Sequence, residues 1–114
     1  MAFKSRAYEA TTTLATPSWG TVASGIEHTV LGLYATNKTT SEQTITVKIV
    51  KAAGNGGGSS IICPGISVPP GDRLSIVNDT EGKTILEPSD QIQFQSDANS
   101  AIDIMYSFLE TARS

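Results

Sequence analysis

The 114-residue chain has a formal net charge of −3, 17% charged residues and a single cysteine, Cys63. This length fits one domain, the acidic balance gives no positive field for binding nucleic acid, and a lone cysteine excludes an intrachain disulfide and a Cys-based zinc site. Thr, Ser, Gly, Ile and Val dominate, whereas strong helix formers are sparse, so the composition favours strands and turns.

Residues 1–24 predict an extended N-terminal arm, because prolines, glycines and a run of threonines leave the apolar residues too scattered for a long periodic element. We expect a short strand near residues 7–13. Trp19, the only tryptophan, either plugs the end of the core or anchors the arm on a neighbouring subunit. The first role is favoured because a large aromatic side chain usually buries much of its area within its own domain, and the second makes Trp19 a candidate subunit contact.

Two consecutive segments predict an antiparallel hairpin. Residues 27–36 carry apolar side chains on both faces, which indicates a central or covered strand. One face holds Val30, Gly32 and Tyr34, and the other holds Leu31, Leu33 and Ala35. Residues 44–50 alternate strictly, and their inward side chains are expected to be Ile45, Val47 and Ile49. A polar turn over residues 37–42 joins the two segments and favours their pairing.

The middle of the chain predicts a flexible loop followed by two similar corners. Residues 54–60 are rich in glycine and serine, and no lysine directly follows them, which disfavours a phosphate-binding loop. A strand over residues 61–68 is interrupted at Pro64-Gly65. Residues 68–76 and 86–94 share one order of features: an apolar residue, a proline turn ending in Asp, and an alternating strand. Each is therefore expected to feed a strand into the fold from a tight turn.

The remaining segments complete an all-β pattern. Residues 78–83 predict a turn, and residues 101–109 predict the last strand, whose inner face holds Ile102, Ile104, Tyr106 and Phe108. About seven or eight short strands are separated by proline, glycine or asparagine, and no helical period occurs. We therefore predict a single antiparallel β-sandwich or jelly roll over residues 25–114, preceded by the arm.

No residues match a catalytic motif, so neither an enzyme nor a cofactor is expected. His28 is the only candidate base for a nucleophile, but its mid-strand position favours packing, and Cys63 is expected to be a buried apolar residue. Most acidic residues fall in turns, where they bond their own backbone. A calcium site in residues 79–81 or 97–99 is a minor alternative, although neither loop matches an EF-hand.

Three glutamines, Gln91, Gln93 and Gln95, line one face of a predicted strand. A solvated face is the simpler interpretation. The sharper one is a subunit contact, since neutral polar side chains can bond a neighbour without the desolvation cost of charges. These glutamines and Trp19 are the candidate subunit contacts.

Five segments, taken in order, carry a pattern of strands and turns: LGLYATN at 31–37, TITVKI at 44–49, ISVPPG at 66–71, ILEPSDQI at 85–92 and ANSAIDI at 98–104. Over residues 25–110 this order resembles the small β-sandwich virion proteins of tailed bacteriophages. At the second corner such proteins commonly have glycine where this chain has Ser89. The pattern is architectural and carries no functional residue.

The resemblance implies a structural protein of the virion, synthesised in the host cytoplasm and assembled as an oligomer with connector, capsid or tail proteins. A neck or collar position is preferred to the head surface or tail, because a small acidic sandwich with an arm suits a ring that clasps a larger connector. The alternative is a jelly-roll module that binds carbohydrate or another host surface.

No run of apolar residues is long enough to span a membrane, and residues 1–6 lack the apolar core of a signal peptide.

Overall fold

Eight strands and one 3-10 turn make up the regular structure of residues 2–77 and 84–112, which the computed structural model describes. The strands are β1 (Ala2–Glu9), β2 (Ile26–Asn37), β3 (Gln43–Val50), β4 (Ser59–Val68), β5 (Arg73–Val77), β6 (Thr84–Leu86), β7 (Gln91–Ser96) and β8 (Ile102–Ala112). All strand pairs are antiparallel. The predicted all-β antiparallel fold is confirmed, and its jelly-roll variant stays a prediction. The turn predicted at residues 78–83 lies outside the described residues.

The strands form two sheets that share one core. The five-stranded sheet has the order β1-β8-β2-β5, with β6 also paired to β2, and the three-stranded sheet has the order β4-β3-β7. Their inward side chains make a single cluster that includes the predicted inner residues of β3 and β8. The largest fully buried side chains are Tyr106, Phe94, Leu33, Ile45, Leu86, Ile92, Ile102 and Ile104.

The predicted hairpin of β2 and β3 is wrong, because these strands belong to different sheets. The buried Asn37 ends β2, and its side-chain amide donates hydrogen bonds to the carbonyls of Ser41 and Val68. Its Oδ1 accepts from the Thr39 N–H. These bonds hold residues 38–42 in a turn that carries the chain across the sandwich, so the same polar residues that resemble a hairpin turn make a crossover.

A bulge in β2 overturns the predicted faces of that strand. The register against β8 shifts between Val30 and Gly32, which leaves Leu31 as an extra residue. An extra residue reverses the alternation beyond it. Val30 and Leu33, predicted on opposite faces, are therefore both buried in the core, at 1% and 0% exposure.

Residues 2–24, predicted as an extended arm, lie along the sandwich. Strand β1 pairs with β8 over its whole length without a register shift. The chain then runs beside the outer edge of β7, where Ala15 exchanges two backbone hydrogen bonds with Phe94. Ala10 and Val22 are buried in the core. This segment therefore supplies one strand of the first sheet and covers an edge of the second.

The two predicted corners have the same backbone. In each, proline is followed by a residue in the left-handed region, Gly71 with φ 71° and Ser89 with φ 72°. The N–H groups that close the turns are those of Asp72, bonded to the Pro69 carbonyl at 3.1 Å, and Asp90, bonded to the Glu87 carbonyl at 3.0 Å. Proline before a positive φ, with this hydrogen bond, defines a type II turn. The repeated sequence pattern thus corresponds to a repeated turn.

We expect Ser89→Gly to raise the free energy of unfolding by up to about 1 kcal/mol, because a left-handed backbone costs a non-glycine residue more than glycine loses in chain entropy. Gly71→Ser is the matched reverse change and should lower it by a similar amount. A Cβ at Gly71 would meet nothing within 4 Å, so Gly71→Ser would introduce backbone strain and not a steric clash. Urea unfolding of both variants measures this. A loss of stability in Ser89→Gly would contradict the expectation.

Candidate functional site

His28 packs in the core of the sandwich and does not face solvent. Its ring stacks on Phe108 with centroids 4.1 Å apart, and its Nδ1 lies 3.1 Å from the Tyr106 hydroxyl. Burial lowers the pKa of His28, although the Glu110 carboxylate, 4.0 Å from Nε2, acts in the opposite direction. Burial also raises the pKa of Tyr106. A neutral ring is therefore the form that the fold favours.

The free energy of unfolding should fall as the pH drops below about 6.5, because the folded pKa of His28 lies below the ordinary value of 6.5. The neutral ring contributes fully above the unfolded pKa, and this contribution is lost as the pH falls through the folded pKa. His28→Gln should flatten the profile in this window. Urea unfolding across the pH range is the measurement. If the free energy of unfolding of His28→Gln falls with pH as steeply as that of the wild type, the prediction is contradicted.

The two candidate catalytic residues lie on different sheets. His28 is on β2 of the five-stranded sheet, whereas Cys63 is on β4 of the three-stranded sheet. The Cys63 thiol is buried and donates to the Ile45 carbonyl at 3.4 Å. Burial raises the pKa of Cys63, which disfavours the reactive thiolate. The Cys63 thiol is thus bonded to a backbone carbonyl, and the His28 Nδ1 is beside the Tyr106 hydroxyl, so neither side chain uses the other as its partner.

Several carboxylates in the described part of the chain make structural contacts. Lys51 pairs with both Glu87 and Asp90 at the second corner. In the loop predicted as a calcium site, Asp97 accepts from the Thr44 N–H at 3.2 Å, and Asn99 accepts from the Thr12 N–H at 3.0 Å. The other predicted loop, residues 79–81, lies outside the described residues. Within residues 2–77 and 84–112 no group of three or more His, Cys, Asp or Glu side chains is placed to hold a metal.

Trp19 packs in an aromatic cluster with residues of β1, β7 and β8. Its ring stacks on Tyr106 at 4.9 Å between centroids and packs at 6.1 Å from Phe94 and at 6.4 Å from Tyr8. Its Nε1 donates to the Ala7 carbonyl at 3.3 Å. These are the contacts of the core plug that was the favoured interpretation, and the role of Trp19 as a subunit contact stays a prediction.

The three glutamines lie on the outer side of β7, each half-buried. Gln95 donates to the Thr12 carbonyl at 2.9 Å, and Gln91 accepts from the Thr16 hydroxyl at 3.5 Å. Gln93 lies opposite Lys48 of β3. Two of the predicted contact residues thus bind the chain's own N-terminal segment, and their role towards another subunit stays a prediction.

A different surface, the outer face of the five-stranded sheet, carries exposed apolar side chains. The strand register places Phe3 beside Leu109, Ala7 beside Met105, and Met105 beside Tyr34. Residues directly opposite each other share a face of the sheet. We call this surface the outer band, and it comprises Phe3, Ser5, Ala7, Thr29, Leu31, Tyr34, Ile85, Met105, Ser107 and Leu109. Phe3 is 78% exposed and Ile85 is 50% exposed.

Charges border the outer band at both ends, and Glu27, opposite Thr111, lies at one of them. The other end carries the larger group. Lys38 bridges Glu9 of β1 and Asp103 of β8, and the Arg73 guanidinium lies 4.7 Å from the centre of the Tyr34 ring. Hydrogen bonds from Lys38 and Ser100 lower the pKa of Glu9. A shallow depression of about 460 Å³ lies here, lined in part by Tyr34, Glu9 and Asp103. The surface therefore combines an uncharged centre with a margin of mixed charge.

The outer band was missed as a site because its residues come from four separate strands. Its signal in the sequence is that Met105 and Leu109 make the second face of the last strand partly apolar, and that Phe3 and Ala7 alternate with charged residues. That signal identifies a surface only after the register places β1 beside β8.

No helix in the part of the chain that the structure describes has the length and apolar content needed to cross a membrane. No family model matches this sequence, and neither a curated protein nor a solved structure shows significant similarity to it.

Proposed function

We propose that this chain is a non-enzymatic structural subunit of a tailed-phage virion, assembled as an oligomer at the neck or collar. The outer band is the observation that carries the proposal. It joins exposed apolar side chains such as Phe3 and Ile85 into one surface on a sheet whose strands are paired along their length. Contiguous apolar surface of this kind marks an interaction site in soluble proteins.

The charge distribution supports an interface and not a substrate site. Subunit interfaces have a centre depleted of charged residues and a polar, solvent-accessible margin. The outer band has no charged member, and Lys38, Glu9, Asp103 and Arg73 lie at one of its ends. With only 17% charged residues overall, the chain also has fewer charges to desolvate when neighbours cover it.

The virion setting rests on the resemblance between the order of strands and turns in this chain and that of small β-sandwich virion proteins. The two corners of that pattern are matched type II turns in this fold. In the proposed setting the chain is made in the host cytoplasm and then joins connector, capsid or tail proteins. In a ring at the neck or collar, the same patch of every copy would make a heterologous contact with the next copy.

Fractionation of purified phage particles tests this function. Particles of the phage that encodes the chain should contain it in a fixed copy number, and a cryo-EM map should place a two-sheet density at the neck or collar. Genes for portal, terminase or tail proteins beside its gene would add support. Recovery of the protein only as a free species, never in particles, would overturn the proposal.

A host-glycan-binding module is the second candidate, and the depression beside Tyr34 favours it. Glycan sites combine an aromatic ring with a few polar groups, and here the carboxylates of Glu9 and Asp103 lie beside that ring. Because Trp19 is packed against Tyr106 and Phe94, Tyr34 is the better aromatic candidate. Glycan-array binding that is lost in Tyr34→Ala and retained in Gln93→Ala would favour this function over a purely structural one.

A further inference from the structure

An exposed sheet can recruit a second copy either through an edge, by strand addition, or through a face. The edge of β7 is closed to strand addition, since the chain's own N-terminal segment occupies it. Phe94 donates to the Ala15 carbonyl at 3.0 Å, and Ile92 donates to the Gly20 carbonyl at 2.9 Å. Ser96 donates to the Thr11 carbonyl at 2.8 Å. Three donors of this edge are therefore already used.

Strand β1 also has acceptors that are already used. The Ser5 carbonyl accepts from the Arg6 guanidinium at 2.9 Å, and the Ala7 carbonyl accepts from the Trp19 indole at 3.3 Å. Alternate residues of an antiparallel strand direct their carbonyls to the same edge. Two successive acceptors on one edge of β1 are thus satisfied by side chains and not by another strand.

Strand β4 is interrupted at its centre. The register against β3 moves from Cys63 to Ile66, so Pro64 and Gly65 together face a single residue, Thr46. Gly65 has φ 64°, and proline has no N–H to donate. A bulge and a proline on an edge strand are devices that block edge-to-edge pairing. Strands β5 and β6, with 5 and 3 residues, offer only short edges.

Because these edges are closed, interrupted or short, we infer that copies of this chain associate face to face, with the outer band of one copy packed on a second copy. This inference rests on the proposed oligomeric function and adds a two-fold contact between two copies, which is separate from the heterologous contact that closes a ring. Two sheets pack face to face about 10 Å apart when their facing side chains interdigitate. Side chains of mixed size suit that packing, such as the exposed Phe3 and Ser5 on β1 and the half-buried Leu109 and Ser107 on β8.

The area of the sheet matches what a second copy needs. Four strands lie abreast in the order β1-β8-β2-β5, and β8 has 11 residues. At about 3.4 Å per residue and about 4.8 Å between strands, this face measures about 37 by about 19 Å, or about 700 Å². A stable protein interface buries about 800 Å² on each partner. Specific interfaces range from about 600 to about 1,000 Å² on each partner, so this face, with its margin included, lies within that range.

The charge pattern of the outer band allows its partner to be a second copy of the same chain. Each copy carries a net charge of −3, so contact between two copies is unfavourable wherever acidic residues meet. The outer band has no charged residue, and its margin holds both signs, with Lys38 and Arg73 near Glu9 and Asp103. Two copies related by a two-fold axis can therefore meet without opposing like charges at the centre.

Sedimentation velocity of the full chain tests the inference, with Ser107→Asp as the disruptive variant and Gln93→Asp as the matched control. Ser107 lies at the centre of the outer band between Ser5 and Gly32, whereas Gln93 lies at the corresponding centre of β7 on the opposite sheet. We expect wild type and Gln93→Asp to self-associate with the same constant, whereas a subunit contact through the three glutamines of β7 would weaken the association of Gln93→Asp. Ser107→Asp should associate at least about tenfold more weakly, because two like charges would be buried together.

Phe3→Asp is a second disruptive variant, to be used if Ser107→Asp fails to fold. It should fold, because a side chain that is 78% exposed contributes little to the stability of the isolated domain. Circular dichroism and thermal melting verify the fold of each variant. A wild-type protein that stays monomeric up to its solubility limit would overturn the inference, as would dissociation in Gln93→Asp alone. Particle incorporation is scored separately, so a monomer that still enters virions refutes the face-to-face contact and leaves the proposed function standing.

Discussion

Replacing Asp90 with alanine is expected to lower the free energy of unfolding by about 3 kcal/mol. The carboxylate is 0% exposed and accepts hydrogen bonds from the Ala52 N–H, the Asn55 amide and the Glu87 N–H, each within 2.9 Å. It also pairs with Lys51. One side chain thus holds the second corner, the end of β3 and the start of the glycine-rich loop together.

The size of this loss follows from what remains after the substitution. Removing one partner of a buried ion pair costs about 3–5 kcal/mol, because the other charge and the donors are left without a partner. Lys51 retains Glu87 at 3.0 Å, and its side chain is 27% exposed. The lower end of the range is therefore expected. Urea unfolding at neutral pH measures it.

Asp72→Ala is the matched control, since Asp72 occupies the same position of the first type II turn. Its side chain is exposed and accepts from the Arg73 N–H. We expect Asp72→Ala to lower the free energy of unfolding by less than about 1 kcal/mol, because the backbone of the turn stays the same and no buried charge is left unpaired. Equal losses at the two corners would show that the turn, and not the buried network, determines stability.

The pH dependence of the wild type provides an independent measurement. Burial alone would raise the pKa of Asp90, but the bonds from Lys51, Ala52, Asn55 and Glu87 outweigh it and lower the pKa. The contribution of a carboxylate with a lowered pKa is complete above its unfolded pKa, near 3.8, and is lost as the pH falls through the folded pKa. Stability should therefore decline below about pH 4, and less steeply in Asp90→Ala.

Much of the strand pattern follows from the sequence, because a period of two is a local property. The alternation of Ile45, Val47 and Ile49 on β3, and of Ile102 to Phe108 on β8, identifies both strands and their buried faces. The two corners are also predictable, since proline and the residue after it define a type II turn within four residues. These features depend on neighbours in the chain and on nothing distant.

Errors arise where the structure depends on distant partners. The bulge at Leu31 reverses the alternation of β2 because β8 opposes Gly32 with Ser107, and no residue within β2 specifies this. The pairing of β2 with β3 fails for the same reason, since Asn37 is fixed by the Val68 carbonyl, 31 residues later. Register and sheet membership are properties of the assembled fold.

In the candidate site, too, the features set by neighbours in the chain were predicted and those set by distant strands were not. Glutamines 91, 93 and 95 share a face because they alternate, and that much is correct, but the neighbours that Gln91 and Gln95 bind come from residues 12–16. The outer band was missed because Phe3 and Met105 become close only when the two ends of the chain pair. A surface built from distant strands has no signature within any one of them.

Replacing Phe94 with alanine is expected to be the other most damaging single change, with a loss of about 4 kcal/mol in the free energy of unfolding. The side chain is 0% exposed and lies 5.7 Å from the Tyr8 ring and 6.1 Å from the Trp19 ring. Removing it leaves a cavity where β7 meets the N-terminal segment. Phe3→Ala is the matched control, and at 78% exposure it should cost less than about 0.5 kcal/mol.

The same pair of variants distinguishes the two interpretations of Trp19. If the indole is a core plug, Phe94→Ala loosens its packing, and the fluorescence of this only tryptophan should shift to longer wavelength while Phe3→Ala leaves it unchanged. If Trp19 anchors the N-terminal segment on another subunit, its emission should depend on protein concentration and not on Phe94. The stacking of Trp19 on Tyr106 at 4.9 Å leads us to expect the first result, which would leave the outer band as the surface for subunit contact.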